Sequence, residues 1–169
     1  DGADRAEVLT KLEPYDRIPA DKVKPTVQYV RNLLRKGPVP APDANGKCTL
    51  QHPTEKGTYY LLGAVAGSKE PQPVLITLHG GGPGMEGDSQ PGIGASVAKG
   101  EWKTPGTPLA NAIVIAPNQP GDRTRAWTDT EGGIRFVRAC LEEVKRGCNV
   151  DTNRVYSTGF SLGGFGSWY

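Results

Sequence analysis

The sequence predicts an α/β protein, a mostly parallel sheet flanked by helices, and three observations carry that expectation. Val74–Leu78 and Ala112–Ala116 are continuously apolar, as strands buried on both faces of a parallel sheet are. Ile134, Val137, Leu141 and Val144 then recur at helical spacing ahead of a β-prone segment, Arg154–Thr158. That segment runs into Gly159-Phe160-Ser161-Leu162-Gly163, a strand-to-helix turn built around a serine. Strand, crossover, strand, helix, strand, turn and helix is the order of a doubly wound sheet.

The chain reads as an N-terminal helical arm with a Pro-rich linker, residues 1–42, followed by the α/β domain, residues 43–169. In the arm, Asp21 caps a helix that sets Val27, Val30 and Leu34 on one side and Arg31 and Arg35 on the other. Pro38-Val39-Pro40-Ala41-Pro42-Asp43 forbids helix and reads as extended chain. Lys47–Gln51 and Thr58–Val65 are predicted strands, with Pro53–Gly57 as the turn between them. A long Gly/Pro-rich loop follows Leu78, with a helix expected near Ser96–Lys99. The later helix ends near Gly147. No internal repeat is visible.

At 169 residues the chain is long enough for one domain with its own core. The net charge of +2 is spread along the sequence. Its densest basic cluster, Arg31, Arg35 and Lys36, reads as a solvated helix face, so no nucleic-acid partner is expected. No apolar run approaches the roughly 18 residues of a membrane span, so no membrane partner is expected either. Cys48, Cys140 and Cys148 make an odd set without CxxC spacing, and the chain has two histidines. Neither metal nor cofactor is therefore expected, and the cysteines read as buried thiols. The chain opens on Asp1 rather than Met, which reads as processing or trimming upstream.

Ser161 is the candidate nucleophile. Glycines on both sides of a serine allow a sharp turn that lifts its hydroxyl clear of the sheet. A competing reading makes Ser161 an ordinary helix N-cap. His79-Gly80-Gly81-Gly82-Pro83-Gly84 directly follows the first buried strand. Glycines there let backbone N–H groups converge on a small anion, as an oxyanion hole requires. Leu162 supplies one donor in this reading, and Gly81 or Gly82 the other. A phosphate loop would end in GK[ST], which is absent. His79 holds the loop in shape or lines the substrate site.

With these motifs in place, Pro73–Tyr169 resembles the α/β-hydrolase superfamily, with its oxyanion loop after the third strand and its serine turn after the fifth. Ala116-Pro117-Asn118-Gln119, Trp127-Thr128-Asp129, Val150-Asp151-Thr152-Asn153-Arg154-Val155-Tyr156 and Gly163-Gly164-Phe165-Gly166-Ser167-Trp168 narrow the resemblance. They are similar to the esterase and predicted-peptidase branch related to polyhydroxybutyrate depolymerases, feruloyl esterases and dienelactone-hydrolase-like proteins. The resemblance implies hydrolysis of a small-molecule or polymer ester through an acyl-serine intermediate. It implies that Trp127 lies near the cleft mouth as a substrate-binding residue, against the plainer reading of core packing. Arg123 and Arg125 read as solvent-facing, with a substrate carboxylate as the alternative.

The superfamily order is serine, acid, histidine. His52, His79, Asp129 and Asp151 all precede Ser161, so the acid and the base are expected from a complementary polypeptide segment outside these residues. The same topology leaves Arg154–Thr158 as a strand edge that later strands are expected to cover. Two other readings stand beside the esterase: a peptidase of the same mechanism, and a binding protein that kept the hydrolase shell.

Overall fold

The computed structural model describes residues 37–81, 109–118 and 133–168, together with Val23, Val27, Gly106 and Trp127. Val23 and Val27 are helical and exposed. The rest of the N-terminal arm, the helix expected near Ser96–Lys99, and Gly82, Arg123, Arg125 and Asp129 lie outside the described residues. The chain divides into two compact units, Asp1–Gly37 and Pro38–Tyr169. The division falls ahead of the Pro-rich stretch rather than behind it. Val39 packs on the core of the second unit, and Gly147 abuts the backbone of Pro38 and Val39.

Among the described residues, five strands form one sheet. They are β1 (Lys47–Thr49), β2 (Thr58–Leu62), β3 (Gln72–Leu78), β4 (Ile113–Asn118) and β5 (Val150–Gly159). Helix α1 (Gly133–Gly147) joins β4 to β5, and α2 (Leu162–Gly166) follows β5. The spatial order is β1-β2-β4-β3-β5. β3 pairs in parallel with β4 and β5, while β2 pairs antiparallel with both β1 and β4. The architecture is α/β as expected, but the sheet is mixed rather than mostly parallel. A short hairpin loop joins β1 to β2, and such a connection permits only antiparallel pairing.

Every residue of β3 and β4 is buried, the polar Gln72, Thr77 and Asn118 along with the apolar residues. β5 starts at Val150, earlier than expected. A shift of register against β3 between Gln72 and Val74 accommodates the added residues. Asp151 braces this start, accepting from Asn153 N at 3.0 Å and from Arg154 Nε at 2.7 Å.

The inward line of α1 is Gly133, Phe136, Ala139, Cys140 and Val144. Of the expected stripe, Val144 is buried, while Ile134, Val137 and Leu141 border this line half-buried, so the helix is turned somewhat from its most aliphatic face. Phe136 explains the rotation. Its fully buried ring fits against Gly57, where a Cβ would come within 2.7 Å of it.

The β1–β2 hairpin is also tied to α1 by polar contacts. Glu143 accepts from Gln51 N at 3.2 Å and from the Tyr59 hydroxyl at 3.1 Å. His52 Nδ1 accepts from Glu55 N at 3.2 Å, and His52 Nε2 stands 3.8 Å from Glu142.

Cys48, Cys140 and Cys148 are buried in this core outside any disulfide. Burial is the main reason that the Cys48 thiol is pushed up to about 11, the Tyr59 hydroxyl partly offsetting it. Burial also raises Cys140 and, together with the charge on Glu143, Tyr59. A raised folded-state pKa stabilises the fold below the ordinary thiol value and ceases to do so as pH climbs through the raised one. The urea midpoint should therefore hold steady up to about pH 8.5 and fall as pH approaches about 11. A midpoint that stays constant or rises across that window contradicts the burial of these thiols.

Candidate active site

β5 ends at Gly159 and α2 begins at Leu162, so Phe160 and Ser161 alone make the reversal. Ser161 takes φ 53° and ψ −119°, the one positive φ at a non-glycine residue among those described. Ser161 stands at the N-cap position of α2, but its exposed side chain caps no helix N–H. Backbone bonds hold this conformation from several directions. Phe160 N donates to Leu78 O at 3.2 Å, Gly163 N to Phe160 O at 2.9 Å, and Phe165 N to Ser161 O at 3.1 Å.

The flanking glycines are there for space. A Cβ on Gly159 would overlap the Gly163 carbonyl. One on Gly163 would overlap Leu78 O and come within 2.6 Å of His79 O. Gly164, by contrast, has nothing closer than Gly159 O at 3.4 Å.

The loop after β3 meets the serine turn directly. A Cβ on Gly80 would lie 3.3 Å from Phe160 O and 3.4 Å from Ser161 Cβ. Gly81 and Leu162, two of the expected oxyanion donors, are both half-buried. They belong to segments brought together by Gly80 against Ser161 and by Gly163 against His79. Leu162 opens α2, so its N–H belongs to the first turn, which a helix leaves without an internal acceptor. With one turn of helix behind it, anion stabilisation falls to individual N–H groups rather than to a macrodipole.

His79 and Trp127 sit elsewhere than on a substrate surface. His79 is 4% exposed, with Nδ1 at 2.6 Å from Gly80 O. Trp127 is 2% exposed, and its indole N–H donates to His79 O at 2.8 Å. Both side chains therefore hold the loop instead of lining a cleft, and the expectation of substrate contact is corrected on burial. The Trp127–His79 bond spans 48 residues, and no local sequence signal announces so distant a contact. His52 lies in the hairpin loop at the β1 side of the sheet, away from β5. Asp151 is engaged by Arg154.

Among the described residues, β5 has β3 as its single neighbour and forms a sheet edge. Tyr156, Phe160, Phe165 and Trp168 are exposed beside it, Trp168 at 91%. A cavity of about 550 Å³, lined by Pro71, Gln72, Asn111 and Arg154 among others, lies at the opposite ends of the strands. No group of three His, Cys, Asp or Glu side chains among the described residues is arranged to hold a metal ion. No helix among them is long and apolar enough to cross a membrane.

The glycine contacts predict a graded series. Gly163→Ala should lower stability by about 3 kcal/mol, the upper end for overpacking, and Gly159→Ala comparably. Gly164→Ala should be neutral or stabilising by up to about 1 kcal/mol, the helix preference for alanine. Equal costs at 163 and 164 in urea denaturation contradict this packing. The sequence matches no protein-family model and no curated protein.

Proposed function

We propose that the chain carries the nucleophile and oxyanion donors of a serine hydrolase that cleaves carboxylic esters through an acyl-serine intermediate. The observation that carries this reading is the backbone of Ser161. A non-glycine residue at φ 53° costs on the order of 1–3 kcal/mol, and a hydroxyl there makes no cap in return. A strained serine between obligatory glycines, exposed at the end of a parallel strand, is what a nucleophile requires. A binding shell relieved of chemistry has no use for the strain.

The esterase and predicted-peptidase branch rests on the sequence motifs alone, whereas the wider α/β-hydrolase reading is supported by two positions in the fold. The glycine loop follows the third strand, and the serine turn follows the fifth. In this mechanism Ser161 Oγ attacks the ester carbonyl while a histidine takes its proton. The tetrahedral oxyanion is met by the N–H of Leu162 and that of Gly81 or Gly82. The alcohol leaves with a proton from the histidine, and water then releases the acid from Ser161.

The acid and histidine come from a complementary segment outside these residues. The edge that β5 forms among the described residues and its exposed aromatic side chains are the surface that such a segment would cover.

The test is Ser161→Ala in protein purified with that segment, assayed on a p-nitrophenyl ester. Turnover should fall by about 10⁴-fold or more, with the melting temperature unchanged. Turnover at a comparable rate would put the nucleophile elsewhere. Faster cleavage of a peptide amide than of the matching ester would select the peptidase form of the same mechanism.

A further inference from the structure

We propose that Trp127 is a positioning residue for the oxyanion site, acting through His79 on the Gly80–Gly81 peptide. The inference rests on the hydrolase reading above. The Trp127 indole holds His79 at two points. Its N–H donates to the His79 main-chain carbonyl at 2.8 Å. Its ring meets the imidazole edge-on, with centroids 4.8 Å apart and planes at 65°. His79 in turn holds the next residue. Its Nδ1 lies 2.6 Å from Gly80 O, and because a carbonyl only accepts, Nδ1 carries the proton.

Peptide planarity carries this control one step further. In a trans peptide the N–H points opposite to the C=O of the same unit. Fixing the Gly80 carbonyl therefore fixes the direction of the Gly81 N–H, one of the proposed oxyanion donors. Two consecutive glycines would otherwise leave that peptide free to turn, since glycine has access to both signs of φ.

The same indole also touches the other half of the site. Gly166, the last residue of α2, packs against Trp127 so closely that a Cβ there would overlap the tryptophan Cβ and come within 3.0 Å of Cγ. Gly133 at the start of α1 packs on the Trp127 backbone, where a Cβ would lie 2.8 Å from its carbonyl oxygen. One buried side chain thus sets the loop that carries Gly81 against the helix that carries Leu162. Oxyanion stabilisation depends on donors held at the correct distance from the developing charge. A misplacement of about 1 Å is enough to cost on the order of a hundred-fold in rate.

The experiment compares Trp127→Phe with Trp127→3-benzothienylalanine in the complete hydrolase. The second replacement keeps the fused ring and exchanges the indole N–H for sulfur. The expected result for the benzothienyl protein is a kcat on an activated ester lowered about ten- to a hundred-fold, with KM within about twofold of the parent. Its melting temperature should match the parent. Trp127→Phe should lose at least as much kcat.

A benzothienyl protein with unchanged kcat and turnover that still depends on Ser161 would overturn the inference alone. So would a loss confined to KM, which would return Trp127 to the substrate-binding role. An unsubstituted protein without Ser161-dependent turnover would overturn the hydrolase reading and this inference with it.

Discussion

Most of what positions the site follows from the contact between the end of β3 and the turn after β5. Gly163 sits against the carbonyls of Leu78 and His79, and Phe160 N bonds Leu78 O. No side chain fits between these backbones. The chain therefore has two residues in which to reverse, and Ser161 absorbs the bend at φ 53°. Strain of that kind persists only where surrounding contacts over-determine it. Here they do so from three sides: the β3 carbonyls, the Gly80 backbone and the first turn of α2.

That contact depends on the sheet. β3 is flanked in parallel by β4 and β5, so the loop after β3 and the turn after β5 emerge at the same end. A βαβ arrangement brings ligands to the carboxyl ends of its strands, and Ser161 stands there. Phe136 and Val144 seat α1 on the core face of the sheet. The β1–β2 hairpin ties to that helix through Glu143. Trp127 belongs to the same core and reaches the site through His79. Core packing and site geometry are therefore one problem in this chain, not two.

The legible parts of the sequence were those with local causes. The unbroken apolar runs of β3 and β4 admit little besides a strand buried on both faces. A serine between glycines after a β-prone run marks its own turn. The mixed character of the sheet was not legible, because which edge a hairpin joins depends on distant strands. The buried line of α1 departs from the aliphatic stripe, Val144 excepted, because Phe136 outweighs the aliphatic residues beside it once Gly57 makes room for its ring. The sequence leaves Trp127 between substrate contact and core packing for a related reason: a tryptophan in a loop shows no sign of a partner 48 residues away.

The nucleophile proposed for Ser161 is one held by this backbone. The most direct measurement is intact-mass spectrometry of the native protein before and after a fluorophosphonate probe, with the labelled peptide sequenced. A single adduct on Ser161, lost on heat denaturation before labelling, is the expected result. Folded protein, purified with the proposed complementary segment, that gains no adduct or gains one at another serine would overturn the proposal.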